Sequence, residues 1–211
     1  MVSRYNYPVA YFRDEFELEY RQPEIVLGRF REALALFRSE IPPFDPKTGE
    51  RALVFRLGLH LHTLFRPMIV DSEYDRNIRD NKRIRELFEI RFTDFENQQI
   101  GQILPKVPNS YPAPPSTRRS IKGDRIYPDL IVHHRRYNDN NVLVVEVKKS
   151  KGNPIAIHKD IQKLKGFTQP DYGYVLGIFL ELSLIEPRWL AFTEGELNLD
   201  LSYWPRPVPK A

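Results

Sequence analysis

Cysteine is absent from the 211-residue chain, which excludes disulfides and thiolate–metal centres and makes a reducing cytoplasm the expected compartment. Long apolar runs are missing as well: none approaches the roughly 20 residues that span a bilayer, so no membrane partner is expected. The opening stretch MVSRYNYPVAYFRDEFELEY carries charges where a signal peptide would have its apolar segment. Glycine-rich loops are lacking, since Gly166, Gly173 and Gly177 do not make a phosphate-binding turn. There is no GxSxG. His60 and His62 are two apart, so on a helix they point to different sides and lack the i, i+4 pairing of a zinc helix.

What is present points to a folded, basic protein. Hydrophobic residues make up 41%, with 13 Phe and 11 Tyr, enough for a substantial core and against disorder of the whole chain. The formal charge is only +4, but it is unevenly spread. Ser116 to Gly166 holds 12 Lys/Arg against 5 Asp/Glu, and the remainder 20 against 23. A local excess of this kind suits a polyanion partner or forms a solvated basic face.

Apolar spacing predicts helices over Pro23–Glu40, with Val26, Phe30, Ala33 and Phe37 on one side, and over Arg51–Phe65, with Leu53, Leu57, Leu61 and Leu64. MIVDSEY reads as a short strand, and NIRDNKRIRELFEIRF as a charged helix with Ile84, Leu87 and Phe88 on its apolar side. The five prolines of Pro105 to Pro115 rule out a regular element there. A helix is expected from Pro154 to about Phe167. YGYVLGIFLEL has the continuous apolar character of a strand buried on both faces. RWLAFTEG is a further strand and SYWPRPVPKA an irregular tail. The expected fold is one mixed α/β domain: an N-terminal helical part over 1–66, a core over 67–185, and a C-terminal strand with its tail over 186–211.

The informative segment is Tyr127 to Ser150, YPDLIVHHRRYNDNNVLVVEVKKS. It reads as two apolar strands around an Asn/Asp-rich turn, yet Asp129, Glu146 and Lys148 interrupt the strand-like runs. An unpaired charge buried in a sheet is costly. Alternation puts Asp129, Ile131 and His133 on one face, and Val142, Val144, Glu146 and Lys148 on one face. Folding at the turn then brings the three charges to one end of the hairpin. Two close carboxylates suit a hard cation such as Mg²⁺ or Mn²⁺, and an adjacent lysine can polarise a water. The same residues also fit an ordinary ion network at a sheet edge.

Pro128–Asp129 followed after 16 residues by Glu146–Val147–Lys148 resembles the PD-(D/E)xK signature of a superfamily of metal-dependent nucleases. HKDIQKLKGF resembles the helix that trails the motif there, with Gln162 and Lys163 at the assisting positions. VDSEYDRN is similar to the EYNR-like stretch of some prokaryotic proteins with a comparable hairpin, and offers Glu73 as a third acid; Glu32 and Glu50 are poorer candidates. The resemblance implies a restriction-endonuclease-like mixed sheet of about four to five strands flanked by helices. It implies Mg²⁺ or Mn²⁺ held by Glu73, Asp129, Glu146 and the main-chain carbonyl of Val147, with Lys148 orienting the attacking water. Nucleic acid, most readily DNA, is the implied substrate, with a homodimer plausible for cutting two strands. Arg118, Arg119, Arg125, Lys149, Lys151, Gln162, Lys163 and Lys165 are the candidates for holding its backbone. A nucleic-acid-binding or assembly module that has lost catalysis is the competing expectation.

Overall fold

The computed structural model describes residues 19–40, 48–72, 76–77, 80–81, 83–84, 90, 92–105, 107, 124–125, 127–134, 140–149, 152–183 and 186–205. Helix α1 (Pro23–Glu40) and α2 (Glu50–Leu64) are followed by β1 (Ile69–Ser72) and three short strands, β2 (Arg76–Asn77), β3 (Asp80–Asn81) and β4 (Arg83–Ile84). Then come α3 (Asp94–Ile103), β5 (Asp124–Arg125), β6 (Leu130–His133), β7 (Asn141–Lys149) and α4 (Pro154–Thr168). The chain closes with β8 (Leu176–Leu182), β9 (Arg188–Thr193) and β10 (Glu196–Tyr203). The main sheet has six strands in the order β1-β6-β7-β8-β9-β10, rather than four to five. Only the β7–β8 pair is parallel, with α4 as the crossover between them.

Two apolar layers enclose the sheet, which is the expected mixed α/β architecture. On one side α1 and α2 bring Phe30, Phe37, Leu53, Leu57 and Leu61 against Leu130, Val132, Val145, Val147, Ile178 and Leu180. On the other, α4 brings Ile157, Ile161, Leu164 and Phe167 against Ile131, Val144, Phe179 and Phe192. Strand β8 alternates between the layers, which is why its sequence is apolar throughout. Gly177 lets α4 approach: a Cβ there would stand 3.1 Å from Thr168 Cγ2 and 3.4 Å from Phe192 Cβ.

Three expectations need correction. The helix expected over Asn77–Phe92 is replaced, where described, by short strand pieces: Arg76–Asn77 pairs with Asp80–Asn81, and Arg83–Ile84 with Asp124–Arg125. Its apolar spacing covered barely one turn, and such weak local preference yields to tertiary pairing. The helix in this region starts later, at Asp94, behind a capping box in which Thr93 and Glu96 exchange side-chain and backbone hydrogen bonds. Finally, Glu196–Tyr203 form a further strand, β10, which takes in Ser202 and Tyr203 of the expected irregular tail, whose residues 206–211 lie outside the described residues. A two-residue turn joins β9 to β10, and both its residues have positive φ, Glu194 (54°) and Gly195 (81°), as tight hairpins require.

Candidate active site

The hairpin register builds the site. Leu130 stands opposite Val145 and Ile131 opposite Val144, so the residue before β6 comes beside the last third of β7. Asp129 is that residue, and its Oδ2 accepts a hydrogen bond from the Val147 amide at 2.7 Å. A bulge falls between the Val132–Leu143 and His133–Asn141 pairs, which turns Val142 into the α1–α2 layer instead of the face of Val144. Beyond the bulge the alternation holds. Val145 and Val147 enter the α1–α2 core, while Val144 enters the α4 layer and Glu146 meets Lys163 of α4.

Helix α4 is held by Pro154 in its first turn and by Asn153, whose side chain accepts from the Ile155 amide at 2.9 Å. It carries Asp160 and Lys163 one turn apart, on one face. Lys163 Nζ lies 2.6 Å from Glu146 Oε1 and 2.6 Å from Asp160 Oδ1. Lys148 Nζ lies 3.0 Å from Asp160 Oδ2 and 3.5 Å from Glu50 Oε1, and donates to the Val147 carbonyl at 3.1 Å. Glu50, the first residue of α2, uses its other oxygen to accept from the Lys149 amide at 3.3 Å. A cavity of about 410 Å³ opens on this cluster, lined by Glu50, Arg51, Val54, Phe55, Ser72 and Asp129.

The electrostatics follow from burial and from a surplus of carboxylates. Glu146 is 1% exposed. Burial, then the charges of Asp160 and Asp129, hold its carboxyl well above the usual range despite Lys163. Burial also raises Asp129, against the pull of the Val147 amide and both lysines. Burial alone would lower Lys148 and Lys163. The neighbouring carboxylates outweigh it and hold both ammonium groups above their ordinary value. Four carboxyl groups, those of Glu50, Asp129, Glu146 and Asp160, thus share two ammonium groups, those of Lys148 and Lys163.

Among the described residues no group of three or more His, Asp or Glu side chains is arranged to hold a metal ion. In chemistry the cluster nonetheless suits one, offering hard carboxyl oxygens that outnumber its ammonium groups. Its present arrangement is lysine-saturated, because Lys163 engages Glu146.

The structure thus brings together Asp129, Glu146, Val147, Lys148 and Lys163. Glu73, Arg118, Arg119 and Lys151 lie outside the described residues, and of Arg125 only the strand backbone is described. Lys149 lies beside α2, its ammonium donating to the Thr48 carbonyl at 3.0 Å. Three expected backbone-holding residues turn inward. Gln162 is buried and donates to the Ile90 carbonyl at 2.9 Å. Lys163 joins the carboxylate cluster, and Lys165 is buried against Glu96. Two participants were missed or undervalued. Asp160 had a legible signal, its helical spacing to Lys163. Glu50 had none, being 96 residues upstream of Glu146. Elsewhere His133 is buried 2.9 Å from Asp71, and Tyr172 and Tyr174 pack on Phe167.

Compared with protein-family models, with curated proteins and with solved structures, the chain matches none.

Proposed function

We infer that this protein is a metal-dependent nuclease of the PD-(D/E)xK type, hydrolysing phosphodiester bonds, most readily of DNA. The observation that carries the reading is the convergence of Asp129, Glu146 and Lys148 at one end of the hairpin, where carboxyl groups outnumber ammonium groups beside an open cavity. Bound Mg²⁺ or Mn²⁺ would supply Lewis-acid activation of water and of the phosphate. Asp129, Glu146 and the Val147 carbonyl are the residues to hold it. Glu50 joins Glu73 as a candidate third acid, on its contact with Lys148 and its share in the cavity with Asp129. Lys148, kept charged by Asp160 and Asp129, is suited to orient the attacking water and to stabilise negative charge developing on the phosphate.

The second reading, a nucleic-acid-binding module without catalysis, draws on the engagement of Glu146 by Lys163. Incubating purified protein with plasmid, linear and single-stranded DNA and with RNA, in Mg²⁺, Mn²⁺ or EDTA, separates the two. Metal-dependent cleavage of any substrate supports the enzyme. Binding without cleavage in every metal would favour the module.

A further inference from the structure

Lys163 is an unusual neighbour for a carboxylate proposed to bind metal. Its ammonium bridges Glu146 Oε1 and Asp160 Oδ1 at equal distances of 2.6 Å, with its side chain 16% exposed. It therefore contacts two anionic partners at once. Asp160 is itself 6% exposed and presents a different oxygen to each lysine, Oδ1 to Lys163 and Oδ2 to Lys148. We propose that Lys163 is a displaceable internal cation that neutralises Glu146 in the metal-free protein, and that Asp160 is the seat onto which it withdraws when a divalent metal takes Glu146. The proposal rests on the cluster being the metal site inferred above.

A charged, buried glutamate facing Asp160 and Asp129 is strongly disfavoured without a counter-ion, and Lys163 at 2.6 Å supplies one in the empty site. A metal and an ammonium cannot both approach one carboxylate closely, so the lysine must have a second partner within reach of a small side-chain rotation. Asp160, one turn before Lys163 on the same helix, meets that need without any backbone movement. Lys163 and Asp160 are thereby positioning residues, acting on Glu146 and Lys148.

The test is Mn²⁺ binding by titration calorimetry on the full chain, wild type beside Lys163→Met, Asp160→Asn and the double variant, with folding checked by circular dichroism. Removing the competing ammonium is expected to tighten Mn²⁺ binding roughly tenfold, a mid-range coupling for neighbours in one ionic network. Removing the seat should weaken it by a similar factor. The distinguishing result is non-additivity. Deleting Lys163 should gain more affinity in the Asp160→Asn background, where the lysine has nowhere to withdraw, than in wild type. Equal gains in both backgrounds, or no gain in either, overturn the proposal. Should Lys163→Met not fold, Lys163→Gln carries the same comparison. An Asp129→Asn arm keeps the readings apart: undiminished Mn²⁺ binding there places the metal elsewhere and removes the site itself. Intact, Asp129-dependent binding with additive variants removes only the exchange.

Discussion

Replacing Lys165 by Met is expected to be among the most destabilising single changes outside the apolar core. Lys165 Nζ lies 2.6 and 2.5 Å from the two oxygens of Glu96, and the two side chains are 5% and 4% exposed. Glu96 also accepts from the Thr93 amide at 2.8 Å and the Leu197 amide at 3.0 Å, so one carboxylate ties α3 to α4 and β10. Methionine keeps the apolar stem but leaves a buried carboxylate with two amides and no counter-charge. Breaking a buried pair from one side costs about 3–5 kcal/mol. For a domain of this size that corresponds to a fall in Tm of about 6–20 °C. The double variant Glu96→Gln with Lys165→Met should recover most of the loss, since no charge is then left buried alone. The pH dependence is also defined. Burial pushes Glu96 up, but Lys165 and the two amides outweigh it and hold the carboxyl below its ordinary 4.5. Its stabilisation is therefore complete above pH 4.5 and is lost as pH falls through the depressed folded-state value. Urea unfolding of wild type and Lys165→Met should show a gap that narrows as pH falls toward that value, since protonation relieves the carboxylate left unpaired in the variant. A cost under about 1 kcal/mol at pH 7, or no rescue by the double variant, would refute the reasoning.

Other outcomes can be checked with simple assays. Mn²⁺ at about 100 times its dissociation constant should raise Tm by about 5–10 °C by mass action, and Asp129→Asn should lose the increment in the same thermal scan. Glu50→Gln should lower kcat/KM for cleavage by about tenfold or more while leaving urea stability within about 1 kcal/mol, because Glu50 is half-exposed and its partner Lys148 keeps Asp160. Gly177→Ala should cost about 1–3 kcal/mol in urea unfolding, since the added methyl meets Thr168 and Phe192 where α4 and the sheet are in contact.

Where fold and site were legible, local pattern and tertiary role agreed. Helix α1 carries its apolar residues at 3.6-residue spacing, and β8 is apolar because both its faces are buried. Asp129, Glu146 and Lys148 could be brought together on paper because a hairpin fixes which ends meet. The Val142 bulge could not be foreseen, since an inserted residue leaves no mark on an all-apolar run. The Thr93–Glu96 capping box is a local signal in the sequence, whereas the Glu194–Gly195 turn lies at the end of RWLAFTEG, a stretch that reads as continuous strand. Glu50 and Asp160 reach the site from separate helices, and only the packing of α2 and α4 against the end of β7 brings them in. Lys163 and Lys165 looked like solvent-facing cations because charge alone does not tell which way a helix turns.

The most direct test of the central claim is Mg²⁺-dependent cleavage of supercoiled plasmid by wild type, Lys148→Ala and Asp129→Asn side by side, with EDTA controls. The account predicts cleavage by wild type that EDTA abolishes, and a loss of about 100-fold or more in both folded variants. Cleavage by either variant at the wild-type rate would contradict it.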